Sequence, residues 1–224
     1  MIGIYDYTVV LTYLSLLSSC LGCIFSLSGR GCPSLGIFFL MFCGVCDAFD
    51  GKVASTKKKR SSYEKKYGIQ IDSLSDLVAF GVLPLAIGVS IYRTSPFLQS
   101  FVGDYPFVSF FFYGVLLFYV LTAFIRLAHY NVTEEERQKV EKGARKYYTG
   151  LPVTSASVIL PVVWLLQYLT PLDFSLLYFF VLFLMSFLFV FKIRIKKLGM
   201  KGISFLVVIG VVEFFLFLVF KFIK

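Results

Sequence analysis

Apolar runs long enough to cross a lipid bilayer constrain the fold of this chain more than any other feature. They occupy residues 9–28, 35–54, 72–92, 107–130, 151–169, 172–193 and 203–222. A helix needs about 20 mostly apolar residues to cross the hydrocarbon core of a bilayer. Only 16% of the chain is charged and 58% is hydrophobic, which is unlike a soluble domain. The sequence therefore predicts an all-α fold: a polytopic integral membrane helical bundle of about six to seven transmembrane helices, forming one domain over residues 1–224.

The distribution of positive charge predicts how the bundle is oriented. Eighteen of the 22 Lys and Arg residues fall in or beside the connections after the second, fourth and sixth runs. Positive residues mark the cytoplasmic side, so we expect a multi-pass protein of the cell membrane with its N-terminus and these connections inside. The net charge of +9 could suggest nucleic acid, but no polar basic domain is present to bind it. Basic loops instead attract the anionic headgroups of membrane lipids.

Four aspartates stand where the second and third apolar runs meet the first basic loop. Asp47 and Asp50 are three residues apart near the end of the second run, and Asp72 and Asp76 are four apart at the start of the third. On a helix each spacing places both side chains on one face. A carboxylate in the lipid region costs about 2.5 kcal/mol or more, so it normally faces the protein interior and has a partner. We expect all four carboxylates to converge at one depth on the cytoplasmic side.

Several interpretations of these aspartates are open from the residues alone. An aspartate at the start of a helix can act as a cap or dipole partner, which fits Asp72, and ion pairs with lysines of the adjacent loop are a second alternative. A cluster of hard oxygen ligands favours Mg²⁺, Mn²⁺ or Ca²⁺, and four carboxylates are enough for two ions. Intramembrane aspartates also occur in cation transporters. However, clustering at one side of two spans favours a binding site over an ion path.

The segment from residue 47 to residue 76 resembles the signature of the CDP-alcohol phosphotransferases, Asp-x2-Asp-Gly-x2-Ala-Arg-x8-Gly-x3-Asp-x3-Asp. Here it is DAFDGKVA at 47–54 followed by GIQID and SLSD at 68–76, so four Asp, two Gly and the Ala match. Position 55 is Ser instead of Arg, and the spacer to Gly68 is about four residues longer. The stretches IDSLSDLVAFGVLP at 71–84, IRLAHYNV at 125–132 and GLP at 150–152 look like the phosphatidylserine synthase branch. The family usually continues GLP with Pro and Ala, where this chain has Val153 and Thr154.

The resemblance implies an enzyme that transfers a phosphatidyl group from CDP-diacylglycerol to the hydroxyl of L-serine and releases CMP. By analogy with the family, the aspartates hold divalent cations, Mg²⁺ or Mn²⁺, two per site, and Asp76 is also the general base. The metal ligands implied are Asp47, Asp50, Asp72 and Asp76. The residues implied to contact the CDP-lipid are Asp47, Asp50, Gly51, Ala54, Lys57 and Arg60, the last two as candidates for the missing signature cation.

If the alcohol is serine, its carboxylate needs a cation near the metals. Arg126 lies at the cytoplasmic end of the fourth run and is our candidate, accompanied by Asn131; snorkelling of Arg126 to the headgroups is the alternative. Glycerol phosphate or inositol phosphate could replace serine, and the CDP-lipid could be ether-linked, because apolar spans do not distinguish tail chemistry. Family members are typically homodimers, so the resemblance implies a homodimer here.

Overall fold

The computed structural model describes residues 3–29, 31–105, 107–140, 147–170 and 172–196, and four isolated positions near the C-terminus. Within these residues the chain is almost entirely helical. The elements are α1 (Val10–Leu27), α2 (Pro33–Thr56), α3 (Ser62–Asp76), a π-helical segment (Leu77–Val82), α4 (Leu83–Thr94), α5 (Pro96–Asp104), α6 (Val108–Val140), β1 (Tyr147–Thr149), a 3-10 turn (Val153–Ser155), α7 (Ala156–Leu169), α8 (Ser175–Val190) and β2 (Arg194–Lys196).

The long apolar helices confirm the predicted membrane bundle. Four stretches are long and apolar enough to cross a bilayer: Val10–Leu27, Pro33–Thr56, Ser62–Thr94 and Val108–Arg137. The fifth and sixth predicted spans correspond to the shorter apolar helices Val153–Gln167 and Ser175–Val190. Large apolar side chains such as Phe110 and Leu117 point outward and are exposed, as expected where lipid is the solvent. The seventh predicted span, 203–222, lies outside the described residues except for isolated positions.

The third predicted span begins earlier than the hydropathy pattern indicated. We expected it to start at Asp72, but α3 begins at Ser62 and continues through the π segment into α4. The Ser61 hydroxyl accepts a hydrogen bond from the Glu64 N–H, and the Glu64 carboxylate accepts one from the Ser61 N–H. This capping box starts the helix in polar sequence. Asp72 therefore lies three turns inside a helix, so the N-terminal capping interpretation of Asp72 is wrong.

The buried core joins α2, α4, α6, α7 and α8. Leu83 and Ile87 of α4 are completely buried at its centre, together with Tyr119 of α6 and Tyr178 of α8. The hydroxyl of Tyr119 donates to the Phe80 carbonyl at 2.8 Å, and that of Tyr178 donates to the Pro84 carbonyl at 3.1 Å. Each buried phenol thus has a hydrogen-bond acceptor, as burial requires.

A short antiparallel pairing of β1 with β2 closes one end of the bundle, with Thr149 opposite Arg194. Gly150 follows with φ +79°, and a Cβ built there would lie 2.7 Å from the Phe189 carbonyl oxygen. The Gly150 N–H donates to the Ile193 carbonyl at 2.8 Å, and the Leu151 N–H donates to the Leu188 carbonyl at 2.9 Å. The GLP segment is therefore a turn whose first residue must be glycine. Its backbone is hydrogen-bonded to the end of α8 and the residues that follow it.

Candidate active site

Three carboxylates from two helices converge in the structure. Asp47 and Asp50 of α2 and Asp72 of α3 each offer one oxygen atom, and these atoms all lie within 4.8 Å of one another. All three side chains are partly buried. The predicted convergence of the second and third spans is therefore present for these three residues.

Helix α1 fixes the positions of both aspartate helices. The thiol of Cys43 on α2 donates to the Ser15 carbonyl at 3.3 Å, and the hydroxyl of Ser75 on α3 donates to the Thr12 carbonyl at 3.1 Å. The two acceptors are three residues apart on α1, so they lie on one face of that helix. Ser75 also lies directly before Asp76 in the sequence. Cys43 and Ser75 thus hold α2 and α3 against the same face of α1, within one helical turn of the aspartates.

Lys57 fixes the connection between α2 and α3 through an ion network. Its ammonium group lies 2.7 Å from the Asp6 carboxylate and 2.6 Å from the Glu64 carboxylate. The hydrogen bond from Lys57, with help from Thr8, lowers the pKa of Asp6 to about 2, and its hydrogen bonds to Asp6 and Glu64 raise the pKa of Lys57. The network ties the N-terminal segment and the α3 capping box to the end of α2. In this arrangement the Lys57 charge is matched by two carboxylates near the loop.

The electrostatics of the three-carboxylate group favour a cation as its partner. Among residues 3–29 and 31–105, none of the four aspartates forms an ion pair with a lysine or arginine, so the alternative of structural salt bridges with the loop lysines is not supported. Like charges at this separation repel one another strongly. Carboxylate oxygens are the ligands that Mg²⁺ and Mn²⁺ prefer. The donor set of Asp47, Asp50 and Asp72 therefore fits a hard divalent cation.

Asp76 lies outside this group of three although it is on the same helix face as Asp72. It follows Asp72 by one helical turn at the last position of α3, immediately before the π segment. It remains within electrostatic range of Asp47, Asp50 and Asp72. Asp47, Asp50 and Asp72 therefore form one compact group, and Asp76 lies beside it.

The predicted CDP-lipid contacts lie along the end of α2 and the following loop. Gly51 is exposed, and a Cβ built on it meets nothing within 4 Å; its N–H donates to the Asp50 carboxylate. Ala54 is partly buried one turn later. Arg60 packs against α3, where a Cβ on Gly68 would lie 2.8 Å from its guanidinium, and it donates to the Glu64 carbonyl at 3.2 Å. The signature glycine at position 68 thus permits the close approach of a cationic side chain.

Arg126 is 6% exposed and lines a cavity of about 100 Å³ between α6 and the end of α8. Its Nε donates to the Leu151 carbonyl at 3.2 Å, and its guanidinium lies over the Tyr130 ring at 5.4 Å. Snorkelling to the headgroups is excluded by this burial. The four aspartates do not line this cavity; its lining residues are Ile125, Arg126, His129, Thr149, Phe189, Val190, Phe191 and Lys192.

Asn131 connects α6 to α3, the helix that carries Asp72 and Asp76. Its side-chain amide exchanges hydrogen bonds with the hydroxyl of Ser73, at 2.8 and 3.0 Å. Ser73 lies directly after Asp72 in the sequence. Asn131 therefore supports α3 at Ser73, while Arg126, five residues earlier on α6, lines a separate cavity.

Sequence reasoning missed four polar residues that the structure brings to these positions. Ser73 contacts Asn131, and His129, Thr149 and Lys192 line the Arg126 cavity. The spacing of Arg126 and His129, three residues apart on one helix, was a signal that both face the same side. Nothing in the linear sequence relates Lys192 to them, because the contact depends on how α8 ends against the GLP turn.

Comparison with known proteins gives a consistent family assignment. The family model described as CDP-alcohol phosphatidyltransferase matches residues 8–192. The chain is similar to the CDP-diacylglycerol–serine O-phosphatidyltransferase of Saccharomyces cerevisiae, with 32% identity over 71% of this chain and 52% of that protein. Proteins of the same name from Mycobacterium tuberculosis and Helicobacter pylori are each 28% identical over 56% and 55% of this chain, and 38% and 43% of their own length. The chain thus spans about half the length, or less, of the curated relatives it matches.

Proposed function

The chain belongs to the CDP-alcohol phosphatidyltransferase family, and we propose that it transfers the phosphatidyl group of CDP-diacylglycerol to the hydroxyl of L-serine, releasing CMP. The observation that carries the proposal is the convergence of Asp47, Asp50 and Asp72 within the matched signature. The names of the curated relatives support serine as the alcohol. Membership of this family favours a transferase over a cation transporter.

Asp47, Asp50 and Asp72 are the residues that would hold Mg²⁺ or Mn²⁺, two ions per site with Asp76 adjoining. When bound, such ions neutralise the pyrophosphate of the CDP-lipid and stabilise the charge that develops on the departing CMP. The three carboxylates would hold these ions and, through them, the pyrophosphate. Gly51 and Ala54 leave the surface of α2 open for the nucleotide, and Arg60 supplies a positive charge that packs against α3. The Lys57 ion network holds the loop that carries Arg60.

Asp76 is the general base in this proposal. The serine hydroxyl gives its proton to the Asp76 carboxylate as its oxygen forms a bond to phosphorus, and the bond from phosphorus to the CMP oxygen breaks. An alcohol is a poor nucleophile, so a carboxylate within reach of its proton accelerates the attack. The position of Asp76, adjacent to the group of three but outside it, supports a separate role in proton transfer.

The Arg126 cavity is the proposed site for the carboxylate of the alcohol, whose hydroxyl would extend out of the cavity towards Asp76. Its polar lining residues Arg126, His129, Thr149 and Lys192 suit an anionic group such as the serine carboxylate, because a buried guanidinium binds a carboxylate strongly. Asn131, through Ser73, holds α6 against the aspartate helix and so sets the position of this cavity relative to the metals. A phosphate-bearing alcohol such as glycerol phosphate or inositol phosphate has a related charge and is the main alternative.

We further propose that the aspartate site faces the cytoplasm, as the positive-inside rule implies, and that the enzyme works as a homodimer in the cell membrane. A test of orientation is the labelling of single cysteines introduced at Lys58 and Arg93, predicted to lie on opposite sides, in a variant whose five native cysteines have been replaced by serine or alanine. Labelling of both from the same side would contradict the topology. Chemical crosslinking in intact membranes, followed by denaturing electrophoresis, measures the subunit count.

The test of function is CMP release by purified protein in lipid nanodiscs containing CDP-diacylglycerol. L-serine, glycerol 3-phosphate and inositol phosphate are supplied separately with Mn²⁺, and the lipid product is identified by mass spectrometry. We expect serine-dependent CMP release that EDTA abolishes, and a parallel reaction with an ether-linked CDP-lipid measures tail preference. CMP release only with another alcohol would replace serine as the acceptor, and no release with any of them would reject the enzyme assignment.

A further inference from the structure

The helix that carries Asp72 and Asp76 is interrupted directly after Asp76 by the π segment Leu77–Val82. In this segment the Leu83 N–H donates to the Val78 carbonyl, five residues back instead of four. Pro84 explains the interruption. A proline in a helix has no N–H for the carbonyl four residues earlier, and its ring clashes with that carbonyl, which here belongs to Phe80. A π turn moves the clashing groups apart, but the Phe80 carbonyl still lacks an α-helical donor because residue 84 is proline.

Tyr119 of α6 supplies a donor to that carbonyl. Its side chain is completely buried, and its hydroxyl donates to the Phe80 oxygen at 2.8 Å. A buried carbonyl that loses its donor is strongly unfavourable. Straightening the segment would turn the Phe80 carbonyl away from Tyr119 and leave it unpaired, because Pro84 has no N–H to donate. The hydrogen bond therefore stabilises the π form of the segment relative to a straightened helix.

The π segment changes the direction in which the aspartates face. Because a π turn holds one residue more than an α turn, it rotates the residues before it relative to those after it by about 100°. In a continuous α-helix Asp76 and the core residues Leu83 and Ile87 would lie on one face, since they are seven and eleven residues apart. In the structure Leu83 and Ile87 are fully buried, whereas Asp76 is only partly buried. The aspartates thus face the site while the rest of the span packs in the core.

We propose that Tyr119 is a positioning residue for the aspartate centre: by holding the Phe80 carbonyl it maintains the π segment, and through it the rotation that brings Asp72 to Asp47 and Asp50. The inference rests on the proposed metal-binding function of these aspartates. Tyr119 contributes nothing to the metal or the substrate directly.

Tyr178 provides a matched control. It is a second completely buried tyrosine whose hydroxyl also donates to a helix carbonyl, that of Pro84, at 3.1 Å. Its acceptor lies in α4, beyond the π segment, and as a carbonyl inside an α-helix it also accepts from the N–H four residues later. Loss of the Tyr178 hydrogen bond therefore does not act on the rotation, and Tyr178→Phe should lower thermal stability by no more than Tyr119→Phe does.

The experiment measures the affinity of each variant for Mn²⁺ without substrate, by electron paramagnetic resonance of the free ion, beside CMP release and thermal unfolding. We expect Tyr119→Phe to weaken Mn²⁺ binding about tenfold or more, the effect of leaving one buried acceptor unpaired, and Tyr178→Phe to leave it within about twofold. Equal Mn²⁺ affinities in the two variants would overturn the inference.

A second variant covers the case in which Tyr119→Phe does not fold. Pro84→Ala restores an N–H that can pair with the Phe80 carbonyl in an α-helix and removes the ring clash. We expect this variant to be at least as thermally stable as the wild type yet to bind Mn²⁺ more weakly by a similar factor. Wild-type Mn²⁺ affinity in Pro84→Ala would overturn the inference while leaving the proposed function intact. If the wild type binds no Mn²⁺, the proposed function fails and the inference fails with it.

Discussion

Replacing Asp72 by Asn should stabilise the protein in the absence of metal and destabilise it relative to the wild type in the presence of metal. The three carboxylates of Asp47, Asp50 and Asp72 repel one another when no cation lies between them. Asn has nearly the same shape as Asp but no charge. The substitution therefore removes repulsion from the metal-free protein, and in the metal-bound protein it removes an anionic ligand.

The magnitude follows from the separation of the oxygens. Two unit charges 4.8 Å apart, the largest separation among these oxygens, repel by about 3.5 kcal/mol at an effective dielectric constant of about 20. Asp72→Asn removes two of the three pairs, or about 7 kcal/mol if all three carboxylates are ionised. Proton uptake and water at the partly buried site reduce the measured effect to a fraction of this value. Even about 1–2 kcal/mol would raise the unfolding midpoint by several degrees in a chain of this size.

The assay is thermal unfolding in detergent, followed through the fluorescence of Trp164, with EDTA or with saturating Mn²⁺. We expect Asp72→Asn to unfold at a higher temperature than the wild type in EDTA and at a lower temperature in Mn²⁺. Asp173→Asn is the control. Asp173 lies in the connection between α7 and α8, outside the group of three carboxylates, and accepts hydrogen bonds from Ser95 and Ser175. It should lower the midpoint equally in both conditions. A lower midpoint for Asp72→Asn in EDTA would refute the repulsion argument.

Three further predictions concern single side chains. Asp76→Asn should abolish turnover while CDP-lipid affinity stays within about threefold, because it removes the base and retains the shape; wild-type turnover in this variant would exclude Asp76 as the base. Arg126→Ala should raise the KM for serine far more than that for the CDP-lipid, because only the alcohol has a carboxylate for the guanidinium, and equal rises in the two KM values would argue against this contact. Asp6→Asn should lower thermal stability above pH 3.8, the ordinary pKa of the group, because the ionised form is the one bound by Lys57. Since the folded pKa is about 2, the difference from the wild type should shrink as the pH falls from 3.8 towards 2, and a difference that grows over this interval would contradict the assigned ion pair.

Local patterns predicted the membrane architecture because lipid imposes its requirement on every span separately. The length of each apolar run and the position of each basic loop are local properties, so the first four spans and the short fifth and sixth helices could be found from the sequence. The start of α3 could not be found in this way. Hydropathy reports where the chain enters lipid, whereas the helix begins where Ser61 and Glu64 cap it, ten residues before Asp72.

The candidate site likewise has features that the sequence predicted and features that it did not. The spacing of Asp47 and Asp50, and of Asp72 and Asp76, determined which carboxylates share a helix face. It did not determine that Asp72 joins the first pair while Asp76 stands beside them, nor that Lys57 pairs with Asp6 and Glu64 instead of approaching the site. These outcomes depend on α1, which docks both aspartate helices, and on the π segment after Asp76.

By itself, the sequence determined a helical membrane protein with four carboxylates on two neighbouring spans, because helix periodicity and the cost of burying charge in lipid act over a few residues. Only the tertiary structure decided the rotation of the third span, the burial of Arg126 and the cavity formed with Lys192. Those features arise from contacts between residues tens of positions apart, such as Tyr119 with Phe80 and Gly150 with the end of α8. Such contacts form only when the helices pack together.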